Sequence, residues 1–126
     1  MFTTEAWLDR ESQIRQWPFD NLNDDRPWPG FVEILKLEGM LAETGIPYKK
    51  RVLFGGWIIV MRDNDGNYIG DAIEHCGSYG RESDLIEIAG FDIDEAEVGD
   101  SVIGNLSASE AFEYFKRAFE KLSKPE

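Results

Sequence analysis

His75 and Cys76 are the only histidine and the only cysteine of the chain, and they are neighbours in the stretch E-H-C-G-S-Y-G. A Cys/His pair is the starting material of nucleophilic catalysis. The histidine takes the thiol proton and a third group orients the histidine. The preceding residues, Tyr68–Cys76, alternate in the manner of a strand, and successive strand side chains point to opposite faces. His75 and Cys76 are therefore expected to diverge. No second histidine can replace His75. A structural zinc site needs four ligands, and only these two soft ones exist. Gly77-Ser78-Tyr79-Gly80 has neither the lysine nor the glycine spacing of a phosphate loop. It reads as a turn. No residue is assigned a catalytic role, and an enzyme is not expected.

A second pattern lies just upstream, in D-N-D-G-N-Y-I-G-D-A-I-E, residues 63–74. Asp63, Asp65, Asn67, Asp71 and Glu74 have the spacing of an EF-hand calcium loop, with Glu74 in the last, bidentate position. The match has two departures. Tyr68 stands where the loop needs glycine, and the flanks are strand-like where the motif needs helices. A β-turn accounts equally well for Asp63, Asn64, Asp65 and Gly66. Calcium or a small ligand held by Asp63, Asp65, Asn67 and Glu74 is the alternative reading; otherwise no cofactor is implied.

The remaining chemistry is charge. The net charge is −12, and it is unevenly spread. Residues 63–113 hold fourteen acidic side chains and one basic one, Arg81, whereas residues 1–62 are nearly balanced. Glu82, Asp84, Glu87, Asp92, Asp94, Glu95, Glu97 and Asp100 follow one another without a cation after Arg81. Free nucleic acid is a poor match for such a surface, because phosphates need Lys and Arg. A basic protein is a better one. These eight carboxylates are the expected partner-binding set, and they could occupy positions that a nucleic-acid-binding protein reserves for phosphates. A solvated acidic loop that only confers solubility is the competing reading. Trp17, Trp28 and Tyr79 are candidate apolar anchors, since aromatic side chains are favoured at interface centres.

The elements that must position these groups follow from periodicity. Residues 4–16 are read as a short helix. Residues 17–30, W-P-F-D-N-L-N-D-D-R-P-W-P-G, contain three prolines and are read as an extended arm. Residues 31–43 carry a helical apolar face, and Gly45 and Pro47 end that helix. The period then becomes two. Tyr48–Phe54 is a strand, Gly55-Gly56 a hairpin turn, and Trp57–Arg62 a strand apolar on both faces and therefore central. Tyr68–Cys76, Leu85–Ala89 and Val102–Leu106 are further strands. Ser107-Ala108-Ser109-Glu110 is a capping box opening a final helix with Phe112, Phe115, Phe119 and Leu122 on one side. The expected fold is one α+β domain over 1–126, an antiparallel β-sheet of three to five strands flanked by two or three helices. Within it, 1–30 form the helix and Pro/Trp-rich arm, and 31–126 the α-β-β-β-(β)-α core. The single cysteine, the absence of an apolar run of membrane length and the non-basic, non-apolar start imply a cytoplasmic protein.

Five segments carry a resemblance: E-T-G-I-P-Y, G-G-W-I-I, D-A-I-E-H-C-G-S-Y-G, L-I-E-I-A-G and D-S-V-I-G-N-L-S-A-S-E-A-F. Over about residues 40–115 the chain resembles small uncharacterised acidic proteins of bacteriophages and integrated mobile elements. That group has no assigned activity, so no site residue carries over. The resemblance implies a context, the bacterial host cytoplasm. It also implies a class of partner, a host or defence protein such as one that binds nucleic acid, as anti-CRISPR proteins of this size and charge do.

Overall fold

The computed structural model describes residues 10–20, 26–93 and 102–123. They form an α+β fold of α1 (Arg10–Asp20), α2 (Glu33–Thr44), β1 (Lys49–Leu53), β2 (Gly56–Arg62), β3 (Tyr68–Glu74), β4 (Ile86–Gly90), β5 (Val102–Leu106) and α3 (Ala108–Ser123). The strands make one antiparallel sheet in chain order, each paired with the next.

Register decides which side chains share a face. Lys50, Ile59, Ala72, Ile88 and Ile103 form one cross-strand row. The row's four apolar members join the main core, against Ile34, Leu37 and Leu41 of α2 and Ala108, Ala111 and Phe115 of α3. Both helices therefore cover the same face. Burial of this one face against the two amphipathic helices is the principal stabilising contact of the domain.

The helix ends behave as their sequence requires. Gly45 takes φ +74° after α2, its N–H donates to the Ala42 carbonyl at 3.3 Å, and the Ile46 N–H donates to the Leu41 carbonyl at 3.0 Å. This pair of hydrogen bonds is the Schellman arrangement, and glycine avoids the Cβ penalty of the left-handed position. At the start of α3 the Ser107 N–H donates to Glu110 Oε1 at 2.9 Å, and the Glu110 N–H donates to Ser107 Oγ at 3.2 Å. The expected capping box is present.

Three expectations are corrected. The hairpin loop is Phe54-Gly55, with φ +42° and +72°, while Gly56 pairs with Leu53 inside the sheet. Helix α1 does not stop before Trp17 but runs through Trp17-Pro18 to Asp20. Proline there loses its N–H bond and crowds the carbonyl four residues back, but it lies in the last turn of the helix and tertiary contacts hold Trp17. Its indole packs edge-on to Trp28 at 5.3 Å, and its Nε1–H donates to the Arg26 carbonyl at 2.6 Å. Finally, the strand expected over Tyr68–Cys76 ends at Glu74, because His75 and Cys76 turn into the loop that Ser78 closes. As expected, β2 is interior to the sheet; its second face carries Ile58 and Val60, which belong to neither buried cluster.

A candidate interaction surface

His75 and Cys76 lie beyond the end of β3, in the loop that follows Glu74, and there they meet different neighbours. Cys76 joins a second cluster with Ile14 and Phe31, bordered by Trp17 and Trp28. Its thiol is buried and donates to the Gly55 carbonyl at 3.8 Å. Burial pushes it up to about 11, only partly opposed by the Arg81 charge. The thiolate is the nucleophile, so this thiol is inert at neutral pH. His75 lies on the opposite side, edge-on to Phe54, with Nδ1 accepting the Gly77 N–H at 2.9 Å. Burial moves its imidazole below the ordinary histidine value, toward the neutral form. Alkylation of Cys76 at pH 7.5 is expected to be slow in the native protein and fast in denaturant. Equal rates in the two states, followed by mass spectrometry, contradict the burial.

The calcium-like spacing is not assembled. Asp63 instead closes its own turn. Its Oδ1 accepts the N–H groups of Asp65 and Asn67 at 2.9 and 2.8 Å, and Oδ2 accepts the Asn67 amide at 3.1 Å. Glu74 is at the far end of β3 and fully buried. Six steps of about 3.3 Å along the strand separate Tyr68 from Glu74 by roughly 20 Å. No group of three metal-capable side chains occurs among the described residues.

Several acids instead satisfy helix N-termini, whose first N–H groups have no partner within the helix. Asp84 Oδ1 accepts the Val32 and Glu33 N–H groups at 2.9 and 3.0 Å. Glu74 Oε1 accepts the Ile34 N–H at 3.2 Å. Glu33 Oε2 in turn accepts the Ala108 N–H of α3 at 2.7 Å. Each carboxylate also sits where the helix dipole favours negative charge. Glu87 Oε1 accepts the Tyr79 N–H at 2.9 Å.

The expected eight-carboxylate set is therefore divided. Asp84 and Glu87 bond backbone within the fold, and Glu82 is exposed at the end of the sheet where β3 finishes. Asp92 is exposed at the opposite end, 3.6 Å from Lys121. Asp94, Glu95, Glu97 and Asp100 lie outside the described residues. Among the apolar anchors, Trp17 and Trp28 are half-buried in the second cluster, whereas Tyr79 is 56% exposed.

The Glu11 carboxylate joins α1 to the loop after β3 by accepting from Arg81 Nε at 3.2 Å and from a terminal guanidinium nitrogen. The Arg81 hydrogen bond, outweighing burial and aided by Arg15, holds Glu11 below the ordinary value of 4.5. A depressed folded value gives stability that is present above the unfolded value and is lost as pH falls through the folded one. Glu11→Gln is expected to lower stability at pH 7, and to narrow its deficit against the parent below pH 4. Urea titrations at the two pH values check this; a deficit that stays constant rules the linkage out.

Two surfaces remain. One is an acidic pole. The antiparallel meander brings the β2–β3 turn, with Asp63 and Asp65, to the same end of the sheet as Asp92 and the ends of the β4–β5 connection at Ile93 and Val102. The other is the second sheet face. Its rows are Arg51, Ile58, Ile73, Glu87 and Lys49, Val60, Asp71, Ala89, Val102. Periodicity marks β2 as apolar on both faces but does not say which side the helices take; among the described residues both helices lie on the other side. Near the first surface is a cavity of about 550 Å³, floored by Phe91, Ile103 and Tyr114 with Arg117 and Lys121 on its wall. Comparison with family models, with curated proteins and with solved structures returned no match.

Proposed function

We propose that the protein is a non-catalytic acidic interaction protein that binds a basic protein through the acidic pole. The observation that carries this reading is the clustering of Asp63, Asp65 and Asp92 at one end, where the connection bearing four further carboxylates leaves and re-enters the sheet. Carboxylates outnumber the cations Arg62, Arg117 and Lys121 at this pole, and a net negative pole attracts the opposite sign over a distance of about 10 Å at ordinary salt and accelerates encounter. The inert thiol and the dispersed EF-hand set support binding over chemistry. The resemblance to phage and mobile-element proteins suggests a host or defence protein as partner, whose nucleic-acid site the pole would block.

The test is retention of a partner from bacterial lysate on the immobilised protein, followed by a salt gradient. Binding is expected to weaken steeply with salt, and reversal of Asp92, Asp94, Glu95 and Glu97 to Lys is expected to abolish it. A partner retained equally by the reversed protein at high salt sinks the reading. The cavity favours a second reading, a small anionic amphiphile seated on Phe91 and Tyr114 with its charge toward Arg117. A raised melting temperature with a medium-chain carboxylate, lost in Arg117→Glu, supports it; no shift removes it.

A further inference from the structure

The second face of the sheet has the composition of an interface. Its centre is apolar, with Ile58, Val60 and Ile73 half-buried and belonging to neither buried cluster. Its borders carry exposed aromatics. Phe54 is 55% exposed beside His75, Tyr79 is 56% exposed against Gly104 of β5, and Tyr68 is 47% exposed with its hydroxyl donating to Asp71. Contiguous apolar surface with an aromatic border marks contact sites on soluble proteins.

We propose that this face pairs with the same face of a second copy of the chain. The charge pattern selects that occupant. The first row runs Arg51, Ile58, Ile73, Glu87, basic at the β1 side and acidic at the β4 side. A two-fold axis parallel to the strands, between β2 and β3, lays this row on its own reverse. Arg51 of one copy then faces Glu87 of the other, Ile58 faces Ile73, and each contact occurs twice, as an isologous interface requires. Lys49 comes within one strand of the opposite Asp71. An axis across the strands would instead set Arg51 on Arg51 and Glu87 on Glu87. Two such sheets pack about 10 Å apart with their strands within about 30° of each other.

The area limits the affinity. Five strands about 4.8 Å apart, with residues rising about 3.3 Å each, give roughly 400 Å² per copy and so roughly 800 Å² in all. This falls below the area of about 1,000 Å² that a stable specific interface clears, so the dimer is weak and transient. With the axis along the strands, the acidic poles of both copies lie at the same end of the dimer. The pairing itself is independent of what those poles bind.

Sedimentation equilibrium of the full chain tests it. The parent is expected to show a concentration-dependent dimer. Arg51→Glu and Glu87→Lys are each expected to weaken it at least about tenfold through like charges. An equimolar mixture of the two variants is expected to recover dimer, because each repulsion then becomes an attraction. Glu87→Lys also removes the acceptor of the Tyr79 N–H. If that variant fails to fold, Ile58→Lys takes its place, with Arg51→Glu, at an exposed position, as the folded reference. A parent that stays monomeric at sub-millimolar concentration overturns the proposal. So does a dimer insensitive to both substitutions, or a mixture that does not recover.

Discussion

Gly56→Ala is expected to be among the most destabilising single substitutions in the chain. A Cβ on Gly56 would lie 2.1 Å from the Glu74 carbonyl oxygen and 2.5 Å from His75 Cα. Both are backbone atoms of the neighbouring strand, so no rotamer change relieves the contact. The β2–β3 pairing must open where Trp57 pairs with Glu74. That pairing also sets the depth of Glu74 under α2, so the damage reaches the helix layer. Overpacking alone typically costs about 1–3 kcal/mol, and here the loss of ladder bonds and of a helix cap is added. We expect more than about 4 kcal/mol, a large part of a single domain's stability of about 5–15 kcal/mol. Gly39→Ala is the control. It has nothing within 4 Å of the added carbon, in the middle of α2. There alanine is expected to stabilise by about 0.5–1 kcal/mol through helix propensity. Urea denaturation followed by circular dichroism distinguishes the two. A Gly56→Ala protein within 1 kcal/mol of the parent, roughly the cost of an ordinary substitution, would show that the strands separate easily at this point.

Glu74→Ala is expected to be nearly as damaging, at about 3 kcal/mol. Its side chain is fully buried, and its Oε1 accepts the Ile34 N–H at 3.2 Å at the start of α2. Removal leaves a buried helix donor unsatisfied, which costs about 1–3 kcal/mol, and leaves a void beside Ile34. Glu74→Gln retains the acceptor and most of the volume, so it should recover at least half of the loss. Asp84→Asn serves as the comparison, because Asp84 caps the same helix end at a more open position. The pattern expected in the melting temperatures is Glu74→Ala lowest, with Glu74→Gln and Asp84→Asn nearer the parent. If Glu74→Ala melts with the parent, the carboxylate is not holding α2 on the sheet, and Asp84 alone sets the helix position.

The carboxylates illustrate how far residue type goes. Asp63, Glu74, Asp84 and Glu87 look alike in the chain, each one more charge in an acidic half. In the fold they divide into a turn-closing group, two helix caps and a loop anchor. A cap supplied from 40 or 51 residues away leaves no local signature, because the helix it serves shows only an absent N-cap side chain. The capping box at Ser107 and Glu110 was legible for the opposite reason: both partners lie within one turn. The fully buried Ser78 also gave no signal. Its Oγ accepts the His75 N–H at 3.0 Å and donates to the His75 carbonyl at 3.1 Å, closing the loop that carries His75 and Cys76 apart.

Local sequence determined the elements: the period-two strands, the glycine stop after α2, and the capping box. It did so because strand alternation and helix ends are fixed by bonds spanning a few residues. It also determined the α+β class, since two amphipathic helices and a set of strands have few ways to bury one apolar face each. The tertiary structure alone decided the rest. Tryptophan packing carried α1 through Pro18, the close approach of β3 placed Gly56 in the sheet, and long-range hydrogen bonds fixed several of the acids. It also put both helices on one side of the sheet, leaving among the described residues a second apolar face with opposite charges at its two sides. Those outcomes depend on contacts between residues far apart in the chain, where identity matters less than which neighbour folding supplies.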